Sequence, residues 1–463
     1  MGGAGGQKKL INLLRGWPSP NLLPAELLKT AASRALSNPE IFVPGLQYGP
    51  DPGYQPLRKE LAKFLSDFYS TTPDAERICI TGGASQSVAC ILQSFTEPVY
   101  TQAVWVIAPC YYLACPIFED SGFKNRLKAV PEDDEGVDLE WLEKGLQSFE
   151  ASDPGKPVYK QPNPFRKAYR HIVYVVPTCS NPSGKTMSLR RRKELVQLAR
   201  KYNALVICDD VYDFLQWPIA TSEVRSSATS PPPSILPRLS DIDFAMGPSS
   251  HDPEGQQFGH AISNGSFSKI VGPGIRTGWV EGTRDFAFGL AQTGSTKSGG
   301  APSQFGAMTV CEMMKSGDLA RHLEESCRPA LQHRHRLMMD AIHEHLGPFG
   351  IEVMDSNVKD VQVYGGYFVW ITFPDGPTAQ DIAERASEDE NLIVPPGEMF
   401  EVKGDEETVK FENSIRLCYS WEEEDDMVEG VRRLGRVIKA LRSEGPRTVA
   451  NKEAKKGGLD AFF

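Results

Sequence analysis

The chain has 463 residues, 40% of them hydrophobic and 24% charged, with a formal charge of -10 at pH 7. Such a length suffices for two or three domains and a large core, and no run approaches the roughly 20 apolar residues that span a bilayer. The acidic balance argues against nucleic acid, whose phosphates it would repel, so the expected partners are small molecules, with neither nucleic acid nor membrane among them.

The first residues, MGGAGGQKKLINLLRG, lack the apolar core of a signal peptide. Gly2 matches a myristoylation site poorly because position 6 is glycine, and the end, GGLDAFF, is not a peroxisomal signal. The expected location is the cytoplasm. Nine scattered cysteines, none at CxxC spacing, read as reduced and mostly buried thiols rather than a disulfide framework or a zinc site.

Farther along, short apolar runs alternate with helical patterns. Residues 77–81 (RICIT), 104–108 (VWVIA), 171–176 (HIVYVV), 204–209 (ALVICD) and 260–268 (HAISNGSFS) each read as a buried strand. Together they predict an α/β fold with a mostly parallel central sheet covered by helices. Residues 150–168 and 221–259 are rich in Ser, Pro, Gly or charge and read as long surface loops inserted into that pattern. Between them, residues 189–202 carry Leu195, Leu198, Ala199 and Tyr202 at helical spacing, with the basic run Arg190 to Lys193 expected on a solvated face. Beyond about residue 320 the pattern becomes α+β. A long charged helix bears His333, His335, His343 and His345, read as solvated positions rather than metal ligands, and no metal is expected. Strands at 365–373 and 414–421 and two more helices follow, and the last dozen residues read as a loose terminus.

Polar and turn residues follow every predicted strand, where open α/β sheets bind ligands. After the first come Gly82, Gly83, Ala84 and Ser85, whose amides and hydroxyl at a strand-to-helix turn suit an anion. Ser266 and Arg276 add donors to it. The fourth strand ends in Asp209, a carboxylate that is costly to bury unless it faces a cation, with Tyr212 three residues on. By itself, Asp209 would be read as the cap of the next helix. The fifth is followed by Lys269, a lysine set among small hydroxyl residues. An amine at a fixed strand end, partly desolvated and near the positive charge of Arg276, can be neutral and nucleophilic.

The blocks SNPSGKTMSLRRRKEL, VICDDVYDFL, SFSKIVGPGIRTGW and SIRLCYSW, in this order, resemble the signatures of class I/II aminotransferases of pyridoxal-phosphate fold type I. The nearest subgroup is that of the aminoadipate, kynurenine and aromatic aminotransferases. The likeness runs from residue 11 to about 440. It implies a PLP-dependent transfer of an amino group from an L-amino acid to a 2-oxo acid. A lyase that eliminates a β-substituent, such as a thiol, is the alternative on the same fold. A sensor module on this fold would carry an added DNA-binding domain, for which a pattern starting at residue 11 leaves no room.

The resemblance implies that Lys269 forms the Schiff base with the cofactor, that Asp209 pairs with its ring nitrogen, and that Asn181 and Tyr212 hold its phenolic oxygen. Tyr111 would stack on the ring. Ala84, Ser85, Ser266, Ser268 and Arg276 would cradle the phosphate, joined by Tyr48 from the neighbouring subunit of a homodimer. Arg416 would hold the substrate carboxylate, with Gly16 and Asn181 also at the substrate. The implied organisation is an N-terminal segment (1–47) packed with the small domain, a large PLP-binding domain (48–320) and a small C-terminal domain (321–463). Two departures stand out. Ser183 replaces the threonine of the family's N-P-T-G, and the insertion at 221–259 either is an inert loop or covers the site entrance or the dimer seam. The tyrosines at 48, 111, 112 and 367 with Phe368 suggest an aromatic or large apolar substrate, unless cofactor and strand roles already account for them.

Overall fold

The computed structural model describes residues 8–151, 155–161, 163–218, 236–297, 302–354 and 363–444. At its centre lie eight strands: β1 (Ile78–Thr81), β2 (Ala103–Ala108), β3 (Leu127–Asp133), β4 (Gly136–Val137), β5 (His171–Val175), β6 (Ala204–Asp209), β7 (Ala261–Ser266) and β8 (Gly278–Glu281). Their spatial order is β1-β8-β7-β6-β5-β2-β3-β4. The run β7-β6-β5-β2-β3 is parallel, while β8 is antiparallel to both β1 and β7, and β4 to β3. Strand β6 illustrates why the apolar runs pair this way. An inner parallel strand meets helices on both faces, so its residues are apolar up to the final aspartate and all are buried.

All five strands expected from the sequence are present; β3, β4 and β8 were not expected. β3 carries charged residues on its partly exposed positions, and β4 and β8 are short, so none makes a long apolar run.

The C-terminal part is an α+β layer. Strands β9 (Glu352–Val353), β10 (Phe368–Thr372) and β11 (Ser414–Cys418) form an antiparallel sheet, covered by helices Arg328–His345, Ala379–Glu390 and Glu424–Glu444. The N-terminal segment joins this layer: Ile11–Asn12 pairs in parallel with Leu392–Ile393, and the Leu13 carbonyl accepts from the Cys418 amide at 3.0 Å. All nine cysteines are buried and unpaired. Among the described residues no helix is long and apolar enough to cross a membrane.

Several expectations about polar residues are corrected. Arg192 is not solvated. It shares the sheet-facing side of helix Leu189–Lys201 with Leu195, Val196 and Ala199, and its guanidinium donates to Pro177 O, Met187 O, Pro237 O and the Thr178 hydroxyl at 2.9–3.2 Å. His335 is buried among the rings of Tyr364, Trp217 and Tyr419, and burial brings its pKa down to about 4. The longer insertion is only partly a loop. Residues 219–235 lie outside the described residues, but Leu239–Ala245 is a helix, and Arg238 and Asp243 are buried. In the shorter insertion Lys167 is buried against Asp252 at 2.9 Å, and Lys160 donates to the carbonyls of Leu92, Gln93 and Thr96 at the end of helix Ala84–Phe95. The terminal tail lies outside the described residues.

Candidate active site

The carboxyl ends of β1, β2, β5, β6 and β7 face the α+β layer across a cavity of about 390 Å³. Lys269, Asp209, Asn181, Tyr212, Tyr111, Ala84, Ser85, Ser266, Ser268, Arg276, Arg416 and Gly16 all line it, whereas Gly82, Gly83 and Tyr367 do not, and Tyr48 is 84% exposed.

β7 leads into a short 3-10 turn, Phe267–Lys269, that presents Lys269 to the cavity. Its ammonium donates to the Gly16 carbonyl at 2.9 Å and lies 5.1 Å from the Tyr367 ring centroid and 5.8 Å from that of Tyr212. Burial lowers the Lys269 pKa from 10.5 to about 8, with Arg416 adding to the effect and Cys418 and Asp209 opposing it. The positive neighbour is thus Arg416 rather than the expected Arg276.

Asp209 closes β6. Its Oδ2 accepts from the Tyr174 hydroxyl at 2.6 Å, whereas its buried Oδ1 has no partner. Burial, opposed by Tyr174 and Lys269, raises its pKa to about 6. A carboxylate with one orphaned oxygen in a cavity wall fits a cationic N–H from a ligand. Tyr174 was not singled out in the sequence. The available signal is a lone hydroxyl-bearing side chain within an otherwise apolar run, one strand away from the aspartate.

The anion cradle is built at the end of β1. Gly83, at φ +108°, precedes helix Ala84–Phe95, and no side chain caps that helix, so its first amides remain available as donors. Arg276 stands over this turn in a left-handed conformation rare outside glycine (φ +50°), donating to Gly82 O at 2.7 Å and Pro273 O at 3.0 Å. The φ of Gly83 is one that side chains rarely adopt, which favours glycine here, and a Cβ would also come within 2.9 Å of the Arg276 guanidinium. The Ser266 and Ser268 hydroxyls bond one another at 2.9 Å on the adjoining wall.

On the opposite side, β11 supplies Arg416, buried between the rings of Phe368 (4.1 Å) and Phe400 (4.7 Å). It donates to Asn181 Oδ1 at 2.8 Å and to the Leu14 carbonyl, and its Nε has no partner. Tyr111 and Tyr212 also line the cavity, and burial raises both phenols, that of Tyr111 to about 12. Trp17, Tyr112, Leu113 and Ile117 also line the walls, and of these four only Tyr112 was linked to the substrate in the sequence. Among the described residues no group of three or more His, Cys, Asp or Glu side chains could hold a metal ion.

The family model for aminotransferase class I and II matches residues 8–434. The chain belongs to the class I and II aminotransferases. An uncharacterised protein of Saccharomyces cerevisiae is 34% identical, over 93% of this chain and 97% of its own. The aromatic-amino-acid aminotransferase 1 of Thermococcus litoralis is 28% identical over 93% of this chain and 88% of its own. Among solved structures, the alpha-aminoadipate aminotransferase of Thermus thermophilus, complexed with N-(5'-phosphopyridoxyl)-L-leucine, superposes with a TM-score of 0.70 at 28% identity, covering 94% of this chain and 93% of that one. This aminotransferase therefore has the fold type I architecture and uses pyridoxal phosphate to move an amino group between an amino acid and a 2-oxo acid.

Proposed function

We propose that the aminotransferase acts on aromatic or large apolar L-amino acids, with Lys269 as its catalytic base and acid. The observation that carries this reading is the meeting, in one cavity, of a lysine poised near pKa 8, a buried carboxylate oxygen without a partner and a buried arginine. Asp209 would meet the protonated ring nitrogen of the cofactor. Ala84, Ser85, Ser266, Ser268 and Arg276 would hold its phosphate, Asn181 and Tyr212 its phenolic oxygen, and Tyr111 its face. When bound, pyridoxal phosphate supplies an electron sink for the bond broken at the substrate α-carbon.

The rest of the chemistry belongs to the chain. Arg416 binds the α-carboxylate, a task that suits a planar fork of donors better than a lysine. Lys269 would remove the proton from the substrate α-carbon and deliver it to the cofactor carbon C4′ on the other side of the amino nitrogen. A pKa near 8 gives it both protonation states at neutral pH, as that exchange requires. The segment through Gly16 closes over the site and excludes water. The walls at Trp17, Tyr112, Leu113 and Ile117 receive the substrate side chain, and this composition supports an aromatic or large apolar donor. The name of the Thermococcus litoralis relative points the same way.

The reading includes a division into an N-terminal segment (1–47), a large domain (48–320) and a small domain (321–463), a cytoplasmic location, and a homodimer in which the exposed Tyr48 reaches the partner's phosphate site. Its test is a panel of amino acids assayed with and without 2-oxoglutarate. Phenylalanine, tyrosine or leucine should be turned over at least tenfold faster than aspartate or alanine, and only with acceptor present. Release of ammonia without acceptor would mark the alternative, β-elimination.

A further inference from the structure

No residue in the described part of the insertion, 236–259, lines the cavity, yet Pro237 and Arg238 reach toward the turns that do. Arg238 is fully buried. Its Nε and Nη2 bind Asp241 at 2.8 and 3.0 Å, and its Nη1 binds Glu281 at 2.7 Å, which fixes the plane of the guanidinium. The face of that plane lies 4.1 Å from the ring centroid of Tyr69, the last residue of helix Gln55–Tyr69. The Tyr69 hydroxyl in turn donates to Asp213 Oδ2 at 2.5 Å.

Asp213 ends the turn that begins at Asp209 and contains Tyr212. The same turn is pinned elsewhere: Asp213 N donates to Asp210 O, Asp210 N to Asn264 O, and the Ser263 hydroxyl to Asp210 Oδ2. Phe214, the next residue, packs against Phe64, Phe68 and Tyr69. One position before Arg238, the Pro237 carbonyl accepts from Arg192, whose other donors hold Pro177 O and the Thr178 hydroxyl at the start of the loop that carries Asn181. Two consecutive insertion residues thus connect to both loops that present side chains to the cofactor ring.

We infer that Arg238 is a positioning residue, which through Tyr69 and Asp213 fixes the turn that offers Asp209 and Tyr212 to the cofactor. The inference rests on the reading above, in which those two residues meet the pyridoxal ring. The insertion is then neither an inert loop nor a cover for the entrance in its described part; it is a brace behind the site. Burial raises the Asp213 carboxyl, and Arg192, the Tyr69 hydroxyl and Arg238 oppose that rise, while the cation over the Tyr69 ring favours donation by the hydroxyl. Removing the Tyr69 hydroxyl leaves Asp213 buried with one fewer partner, removing Arg238 takes away the cation over the Tyr69 ring, and either change lets the turn shift.

Tyr69→Phe tests the link most gently, since it deletes one hydroxyl and keeps the ring beneath Arg238. Arg238→Met is the second variant. Apoproteins are titrated with pyridoxal phosphate, and the dissociation constant, the absorption maximum of the bound cofactor and the apoprotein melting temperature are recorded. Tyr69→Phe should fold, weaken cofactor binding by about tenfold, the scale of one hydrogen bond to a charged group, and move the absorption maximum. An apoprotein that is less stable but binds the cofactor within twofold of wild type, with an unmoved absorption maximum, would overturn the inference and leave Arg238 a purely structural residue. If Arg238→Met does not fold, Tyr69→Phe decides alone. Asp209→Asn serves as the control: unchanged affinity in that variant would remove the reading on which the inference rests, whereas weakened binding there with none in Tyr69→Phe rejects the brace by itself.

Discussion

Replacing Asp209 by asparagine should stabilise the apoprotein and at the same time weaken its hold on the cofactor. The side chain is 7% exposed and one of its oxygens has no partner. Its pKa stands at about 6 in the fold against 3.8 ordinarily, chiefly through burial. Holding the charge therefore costs roughly 3 kcal/mol at neutral pH. Because the folded value lies above the unfolded one, the folded chain binds the proton more tightly. The cost is absent below the unfolded value, grows between the two and is complete above about pH 6. Asparagine keeps the shape and an acceptor for Tyr174 but carries no charge.

At pH 7.5 the Asp209→Asn apoprotein should thus be the more stable, by up to ~3 kcal/mol. An unfolding entropy of about 2 cal/mol/K per residue turns this into a melting temperature higher by roughly 2–3 °C for a chain of this length. The gain should shrink as the pH is lowered toward 5. Pyridoxal phosphate should offset most of this gain, since the variant cannot form the charged bond to the ring nitrogen: its dissociation constant should rise about 10- to 100-fold, or roughly 1.4–2.7 kcal/mol. Melting curves of both apoproteins at two pH values, with and without cofactor, read all of this. An apoprotein no more stable than wild type at pH 7.5, together with cofactor affinity within twofold, would refute the assignment of a strained, ligand-seeking carboxylate.

Three further outcomes are expected. If the Lys269 pKa is about 8, the neutral amine makes up ~10% of the total at pH 7 against ~0.03% for an ordinary lysine; the rate of cofactor incorporation, followed by absorbance, should rise with pH and level off just above 8, and a rise continuing to pH 10 would contradict it. Arg416→Lys should raise KM for the amino acid about 30- to 100-fold while leaving cofactor affinity within twofold, because one ammonium cannot replace a fork held between two rings; steady-state kinetics at saturating cofactor separate the two. Gly16→Ala would set a Cβ 2.6 Å from Phe368 Cζ, whose ring lies against Arg416; overpacking of about 1–3 kcal/mol should appear as a 5- to 100-fold loss in kcat/KM, and wild-type kinetics would show that the segment yields freely.

The sheet and the strand-end chemistry were legible because one physical circumstance produces both. An inner parallel strand covered on two faces is largely apolar, so in β6 the first polar residue, Asp209, marks the end of the sheet and a place that faces the cavity. Lys269, Ala84 and Ser85 stand out instead because they follow the carboxyl ends of β7 and β1. Polar residues within the core were not legible. Arg192, Arg238, His335 and Tyr174 have partners from distant parts of the chain: Pro237, Glu281, Trp217 and Asp209. Composition near Arg238 gives no hint of Glu281, and a helix dense in charge reads as solvated until a neighbour covers one side of it. Tyr48 is a different case, since its 84% exposure in a single chain is what a residue reserved for a partner's site and a plain surface tyrosine have in common.

The N-terminal segment ties these observations together. Its Leu14 carbonyl accepts from Arg416 and its Gly16 carbonyl from Lys269, so two peptide oxygens two residues apart hold two of the cations of the site. The segment is itself fixed by the pairing of Ile11 with Leu392 and by the bond from Cys418, which lies two residues beyond Arg416 on β11. Segment, carboxylate arginine and lysine therefore share one mechanical unit. A carboxylate arriving at Arg416 must compete with the Leu14 carbonyl, and a shift there is carried to Gly16 and to Lys269 through covalent bonds. Substitutions along Ile11–Leu13, none of which carries chemistry, should for that reason alter turnover more than their distance from Lys269 implies.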